Sequence, residues 1–161
     1  MASNAGQTGF LPTGAALFCT IPDIFYLVEL VFGGLVLCLV ASTKLEPNNP
    51  QGYVIFVTIF CFLMTFLWLI VFATGCHRNK SSWATADVAC HGFASLLYLS
   101  ASVLLAYIAI FYGNLTSLSP IVPEEITLTY KLNIAAVVFA FLTTLLYVVH
   151  TVFSALRWKS F

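Results

Sequence analysis

Residues 53–74 read YVIFVTIFCFLMTFLWLIVFAT, an apolar run without a charged side chain. A hydrocarbon core of about 30 Å is crossed by a helix of about 20 apolar residues, so this run is long enough to span a bilayer. The run does not alternate apolar and polar residues as a barrel strand would, and in lipid a single segment satisfies its own backbone groups only as a helix. The run therefore predicts a transmembrane helix.

Three further segments are long apolar runs, although the first is only 18 residues long and contains Glu29, and together the four predict an all-α membrane protein. The expected architecture is an antiparallel four-transmembrane-helix bundle with spans at 24–41, 53–74, 88–112 and 134–156. Residues 24–156 then form one domain between a polar, glycine-rich tail at 1–23, expected to be flexible, and a short basic tail at 157–161. Residues 113–133 are predicted to be the longest loop, because Pro120 and Pro123 oppose helix continuation.

The composition of the whole chain agrees with a membrane protein. Of its 161 residues, 61% are hydrophobic and 7% are charged, whereas soluble proteins average about 45–50% apolar and about 25% charged residues. These values, with a formal net charge of zero, exclude a soluble enzyme, a disordered tail and a nucleic-acid-binding protein. The sequence contains no G-x-S-x-G, no H-E-x-x-H and no phosphate-binding loop, so we expect no enzyme, no catalytic residue, no metal site and no cofactor.

The basic residues predict the orientation of the spans. Four of them lie on the side of the expected bundle that carries the termini and two lie on the other side; they are Arg78, Lys80, Arg157 and Lys159 against Lys44 and Lys131. Cytoplasmic loops are enriched in Lys and Arg, which places both termini in the cytosol.

Three ionisable residues fall inside the predicted spans, namely Glu29, His91 and His150. Such residues are costly in lipid and face the bundle interior. At a rise of about 1.5 Å per residue, all three lie in the cytosolic half of the bilayer, so Glu29 is predicted to meet one or both histidines. A structural polar contact is the favoured interpretation; a proton relay or a metal site, used by a small channel or transporter, is the alternative. Asp23 and Asp87 are interpreted as helix caps.

Small and polar residues recur at helical spacing on three of the spans. Such faces let membrane helices approach closely, so they are predicted to point into the bundle, while Leu97, Leu104 and Ile108 face lipid. The residues of these helix-packing faces are Gly33, Gly34, Cys38, Ser95, Tyr98, Ser102, Ala136, Ala140, Thr143 and Tyr147.

Several residues are predicted to act at the membrane surface. Trp83 and the group Arg157, Trp158 and Lys159 are interpreted as interface anchors, because aromatic and basic side chains favour the headgroup region. Cys76, beside His77 and Arg78, is the candidate for S-palmitoylation, a positional signal only.

Taken together, six stretches resemble the MAL proteolipids, four-span proteins of the MARVEL domain class. These stretches are FGGLV at 32–36 with LVAS at 39–42, QGYV at 51–54, SW at 82–83, LYLSASVL at 97–104, NIAAVVF at 133–139, and LLYVVH at 145–150 with RWKS at 157–160.

The resemblance implies a raft-associated proteolipid without enzymatic activity. Such a protein would organise membrane rich in cholesterol and glycosphingolipid, bind these lipids, and support apical vesicle trafficking or myelin assembly. We would then expect it in the apical or myelin plasma membrane, in Golgi-derived vesicles and in endosomes. Its expected partners are membrane lipids, membrane cargo proteins and further copies of itself, and not nucleic acid.

Overall fold

The computed structural model describes residues 11–43, 50–118 and 121–161. A 3-10 helix at Gly14–Phe18 precedes four α-helices, and the described residues contain no strand. The helices are α1 (Phe25–Ala41), α2 (Gln51–Ala73), α3 (Ser81–Leu118) and α4 (Glu124–Trp158). The predicted all-α bundle of four helices is confirmed.

Each helix packs against its neighbours in chain order, and α4 closes the ring onto α1. The helices alternate in direction, since the start of α1, the end of α2, the start of α3 and the end of α4 meet at one level. We call this end of the bundle the Arg157 end and the opposite end the Asn133 end. The face of the membrane on which each end lies remains a prediction from the basic residues.

Within the described ranges, three helices are long and apolar enough to cross a membrane: α2, α3 and α4. The first helix is apolar but has only 17 residues, a length of about 26 Å at about 1.5 Å per residue. By the same rise, the 38 residues of α3 and the 35 of α4 reach about 57 and 53 Å. The last two helices therefore extend beyond a hydrocarbon core of about 30 Å.

The prediction that residues 113–133 form a long loop is wrong. Helix α3 continues to Leu118 and α4 begins at Glu124, so the connection is short. Pro123 directly precedes the first turn of α4, where its missing N–H is not needed, and Glu124 and Glu125 favour that helix start. Hydropathy marks where a helix leaves lipid, which is not where the helix ends.

The prediction of a flexible tail is also wrong for residues 11–23; residues 1–10 lie outside the described residues. Leu11 and Leu17 are fully buried against α2 and α3. The Leu11 N–H donates a hydrogen bond of 2.8 Å to the Asn79 side chain, and a nitrogen of His77 lies 3.3 Å from the Pro12 carbonyl oxygen. This segment therefore closes the Arg157 end of the bundle.

Most of the predicted helix-packing residues face the interior. Ser95 and Gly34 are half-buried; the others in this group are buried, namely Gly33, Tyr98, Ser102, Ala136, Ala140, Thr143 and Tyr147. A Cβ atom at Gly33 would lie 3.2 Å from the Tyr98 hydroxyl oxygen, so the glycine allows α1 to approach α3. Two expectations are wrong: Cys38 is exposed, and Ile108 is buried because it continues the inward stripe of Ala101 and Leu105. Leu97 and Leu104, also expected to face lipid, are half-buried and pack partly against the core.

Candidate polar site inside the bundle

The three ionisable residues of the predicted spans lie together. His150 Nδ1 is 2.7 Å from Glu29 Oε1, and His91 Nε2 is 3.7 Å from Glu29 Oε2. The side chains of all three residues are inaccessible to solvent. One potential ligand atom from each lies within 4.8 Å of the other two. Helices α1, α3 and α4 thus deliver one carboxylate and two imidazoles to a single point.

Asp87 orients the His91 ring. His91 Nδ1 lies 2.9 Å from the Asp87 main-chain oxygen and 3.1 Å from its carboxylate Oδ1. Both oxygens are acceptors, so Nδ1 carries the proton that it donates, and in a neutral ring Nε2 keeps its lone pair. That lone pair lies on the side of Glu29. The prediction that Asp87 caps α3 is wrong, because the helix begins at Ser81, six residues earlier.

A second group of charges adjoins the first at the Arg157 end. Arg157 donates two hydrogen bonds of 2.8 Å to the Asp23 carboxylate and one of 3.0 Å to Asp87 Oδ2. The hydroxyls of Tyr26 and Ser154 each donate a hydrogen bond of 2.6 Å to the Asp87 carboxylate. Both bonds to Asp23 come from Arg157 Nη1, and the bond to Asp87 comes from Nη2. Such charge-assisted hydrogen bonds are about twice as strong as neutral ones. The group therefore links the segment before α1 to α3 and α4.

Two sequence expectations fail in this group. Asp23 makes no capping contact to α1, which has no side-chain cap; it pairs with Arg157 instead. The Arg157 side chain is only 10% exposed, so it is not a membrane-surface anchor. The contact joins residues 134 apart in the chain, and nothing in the local sequence of either residue indicates it.

Aromatic rings surround the two histidines. The His91 and His150 ring centroids are 4.0 Å apart, and the Tyr26 ring lies 4.7 Å from that of His150. Trp68 and Tyr147 approach His91 at 6.3 and 6.0 Å. The Tyr147 hydroxyl forms a hydrogen bond of 2.8 Å with Thr65, whose hydroxyl lies 3.5 Å from Glu29 Oε2. Sequence reasoning did not select Tyr26, Trp68 or Thr65.

The bundle holds another polar contact at its Asn133 end. Gln51 donates hydrogen bonds to the Thr43 hydroxyl and to Asn133 Oδ1, the latter at 3.2 Å. Between this contact and the Glu29 level lies a packed apolar layer, which includes Val36, Val40, Val54, Val57, Leu105, Ala136 and Ala140. Buried hydroxyls also lie along the helices between the two levels, among them Thr58 and the pair Ser102 and Thr144, whose oxygens are 3.1 Å apart.

The remaining predicted surface residues are spread over the Arg157 end. Trp83 is half-buried and packs edge-on against Trp68 at 5.6 Å, whereas Trp158 and Lys159 are exposed. Cys76 is exposed, and its sulfur accepts a hydrogen bond of 3.1 Å from Thr74. Anchoring and acylation at these positions remain predictions.

An apolar groove lies on the outer surface between α1 and α4. It encloses about 350 Å³ and is lined by Phe25, Val28, Phe32, Leu142, Leu145, Leu146 and Val149. Every lining side chain is hydrocarbon. The groove runs along the same part of α1 that carries Glu29 on its inner face.

The chain is similar to a set of known membrane proteins. Residues 17–153 match the family model MARVEL, described as a membrane-associating domain. The chain is 45% identical over 159 residues to the myelin and lymphocyte protein of Homo sapiens, covering 99% of this chain and 97% of that protein. It is 46% identical over 162 residues to the protein of the same name from Canis lupus familiaris, with the same coverage.

A more distant relative is the CKLF-like MARVEL transmembrane domain-containing protein 8 of Homo sapiens, which is 32% identical over 143 residues, 88% of this chain and 76% of that protein. No solved structure matches the chain. The matched region begins within the N-terminal 3-10 helix and includes nearly all of the four-helix bundle. This chain therefore belongs to the MARVEL family of membrane-associating domains.

Proposed function

We propose that this protein is a non-enzymatic proteolipid that organises membrane rich in cholesterol and glycosphingolipid. In this proposal the protein supports apical vesicle trafficking or myelin membrane assembly. It acts in the apical or myelin plasma membrane, in Golgi-derived vesicles and in endosomes, together with membrane cargo proteins and other copies of itself. The similarity to two relatives named myelin and lymphocyte protein supports a role in membrane organisation.

The observation that carries the proposal is the apolar groove between α1 and α4. Its volume of about 350 Å³ and its seven hydrocarbon side chains suit one face of a rigid ring system or a pair of acyl chains. A pre-formed groove favours a rigid sterol, because less conformational entropy is lost on binding than with a flexible chain. The Phe32 ring, which lines the groove, packs against Phe139 at 5.8 Å and is a stiff wall at one end.

The lengths of the helices support the same environment. Helix α2 has 23 residues, about 35 Å at about 1.5 Å per residue, and α3 and α4 are longer. Sterol-rich and sphingolipid-rich plasma membranes have hydrocarbon cores of about 32–33 Å, a few Å thicker than the endoplasmic reticulum. The 23-residue α2 matches this thickness, which would favour such membranes, whereas the 17-residue α1 does not, and α3 and α4 extend beyond any bilayer core.

The experiment that tests the proposal measures the lipids retained by the purified protein. The full chain is reconstituted in vesicles of phosphatidylcholine, cholesterol and a glycosphingolipid, extracted gently, and its bound lipids are quantified by mass spectrometry. A photoreactive cholesterol analogue then maps the contact. We expect enrichment of cholesterol over the bulk vesicle and labelling of the residues that line the groove.

A pair of variants separates the groove from the general lipid surface. Val28→Trp fills the groove, whereas Leu63→Trp places the same side chain on α2, where Leu63 is 53% exposed and outside the groove. The proposal expects Val28→Trp to abolish the enrichment and Leu63→Trp to preserve it. Retained lipid of bulk composition in the wild type, or equal enrichment in both variants, contradicts the proposal.

The alternative function, a small channel or transporter, would use the Glu29, His91 and His150 cluster. The apolar layer between that cluster and the Asn133 end disfavours a polar path through the bundle. Proteoliposomes with a pH-sensitive dye inside distinguish the two functions. Proton or ion flux that is present in the wild type and lost in Glu29→Gln would favour the alternative.

A further inference from the structure

We propose that Glu29, His91 and His150 form a binding site for a divalent transition-metal ion with the coordination chemistry of Zn²⁺. The site goes beyond the proposed lipid function and does not depend on it. Imidazole nitrogens and a carboxylate oxygen are ordinary ligands of Zn²⁺. The three residues come from three different helices, so a bound ion would tie α1, α3 and α4 together.

The first argument is the unpartnered nitrogen of His91. Its Nδ1 faces two oxygen acceptors of Asp87, so its Nε2 is the lone-pair atom of a neutral ring. That Nε2 has no hydrogen-bond partner among the described residues. The carboxylate oxygen Oε2 of Glu29 lies 3.7 Å from it. A lone pair and a carboxylate repel each other at this distance. A cation between the two atoms turns the repulsion into two favourable contacts.

The second argument is distance. With bonds of about 2.0–2.1 Å, two ligand atoms of a tetrahedral Zn²⁺ lie about 3.3–3.4 Å apart. The separation of 3.7 Å between His91 Nε2 and Glu29 Oε2 requires a closure of only a few tenths of an ångström. The full set lies within 4.8 Å, so the His150 ring must move further. To bind the ion through Nδ1, His150 exchanges its 2.7 Å contact with Glu29 Oε1 for a bond to the metal.

The third argument is charge. Three buried carboxylates lie at this end of the bundle, those of Asp23, Glu29 and Asp87, each no more than 1% exposed. Among the described residues, the permanently charged cation that contacts them is the Arg157 guanidinium; their other basic partners are His91 and His150. With all three carboxylates ionised and the histidines neutral, the cluster carries a formal charge of −2, and charges buried without compensation are costly in lipid. One divalent cation balances this charge.

The surroundings of the site also match those of known metal centres. Metal-bound histidines usually donate their other N–H to a carboxylate or carbonyl oxygen, which fixes the ring and its tautomer. Asp87 already holds His91 in this way. The Thr65 hydroxyl, 3.5 Å from Glu29 Oε2, lies where it or a water molecule could fill the fourth position.

The test uses the purified full chain in lipid nanodiscs, stripped with a chelator and then titrated with Zn²⁺ or Co²⁺. We expect one metal ion per chain by elemental analysis and the visible d–d absorption bands of four-coordinate Co²⁺. Glu29→Gln, His91→Gln and His150→Gln should each weaken binding at least about tenfold, the lower end of the effect of removing an outer-shell partner.

His77→Gln is the matched control, because His77 is equally buried but contacts Phe72 and Pro12 away from the cluster. It should leave metal affinity unchanged. If a cluster variant unfolds, as judged by loss of its helical circular-dichroism signal, X-ray absorption spectroscopy of the Zn²⁺-bound wild type identifies the ligands instead. Two imidazole rings together with oxygen ligands support the site. Absence of stoichiometric binding, sulfur ligands, or a loss of binding in His77→Gln as large as in the cluster variants would overturn the proposal.

Discussion

Replacing Arg157 with methionine is expected to be among the most destabilising single substitutions in this protein. The change removes three hydrogen bonds of 2.8, 2.8 and 3.0 Å and the contact of the guanidinium with the Phe72 ring at 5.4 Å. It leaves the carboxylates of Asp23 and Asp87 buried at 1% and 0% exposure without their cation. Breaking a buried ion pair by removing one partner costs about 3–5 kcal/mol, so we expect a loss of that size.

The assay is unfolding of the protein in mixed micelles with increasing sodium dodecyl sulfate, followed by tryptophan fluorescence. Lys159→Met is the control, because Lys159 is an exposed basic residue two positions away, and such changes usually alter stability by less than about 0.5 kcal/mol. Asp23→Asn should recover part of the loss when added to Arg157→Met, because it removes one uncompensated charge. A cost below about 1 kcal/mol for Arg157→Met, or no recovery with Asp23→Asn, would refute this reasoning.

Three further predictions, one on a buried hydrogen bond and two on packing, are checked by the same unfolding assay. Tyr26→Phe removes the donor of a buried 2.6 Å hydrogen bond to a carboxylate, and should cost about 1–3 kcal/mol. Gly33→Val places a branched side chain where even a Cβ lies 3.2 Å from a tyrosine oxygen, and should cost about 1–3 kcal/mol; Gly34→Ala, with its nearest contact at 3.5 Å, should be neutral or stabilising. Leu17→Ala should cost about 2–5 kcal/mol because this side chain is fully buried, whereas Phe18→Ala, at 49% exposure, should cost much less.

The helical faces could be predicted from the sequence because they depend on local spacing. Tyr98 and Ser102 fall on one face of α3, and Ala136, Ala140 and Tyr147 on one face of α4, wherever those helices begin. In lipid the polar and small face points inward, so burial follows from the pattern. The same argument, with depth added, places Glu29 at the level of the two histidines.

The ends of the helices could not be predicted in this way. Hydropathy marks the part of a helix that lies in lipid. Helix α3 continues into the more polar residues 113–118, and α4 begins in the more polar residues 124–133, before its apolar part. The sequence therefore predicts that Asp87 lies at a helix start, whereas it lies in the second turn of α3 and faces the interior. The burial of residues 11–23 could not be predicted, because two buried leucines, Leu11 and Leu17, are too few to give a periodic hydrophobic pattern.

The pairing of Arg157 with Asp23 and Asp87 depends on tertiary structure alone. The partners are 134 and 70 residues apart, and a basic residue beside a tryptophan at the end of a span is equally typical of an interface anchor. Only the ring of four helices brings the three side chains together. Contacts between residues so far apart in the chain can be predicted only from the tertiary fold, and the local sequence pattern does not specify that fold.

The central claim is that the polar and small faces of these helices point inward and the bulky apolar faces meet lipid. Spin labels introduced one at a time along α3, in a background without the native cysteines and in nanodiscs, measure this directly through their collision rate with dissolved oxygen. We predict high oxygen accessibility at Leu96, Leu99 and Val103, and protection at Ala94 and Ala101. Equal accessibility at all five positions, or protection of the first three with exposure of the last two, would contradict the account.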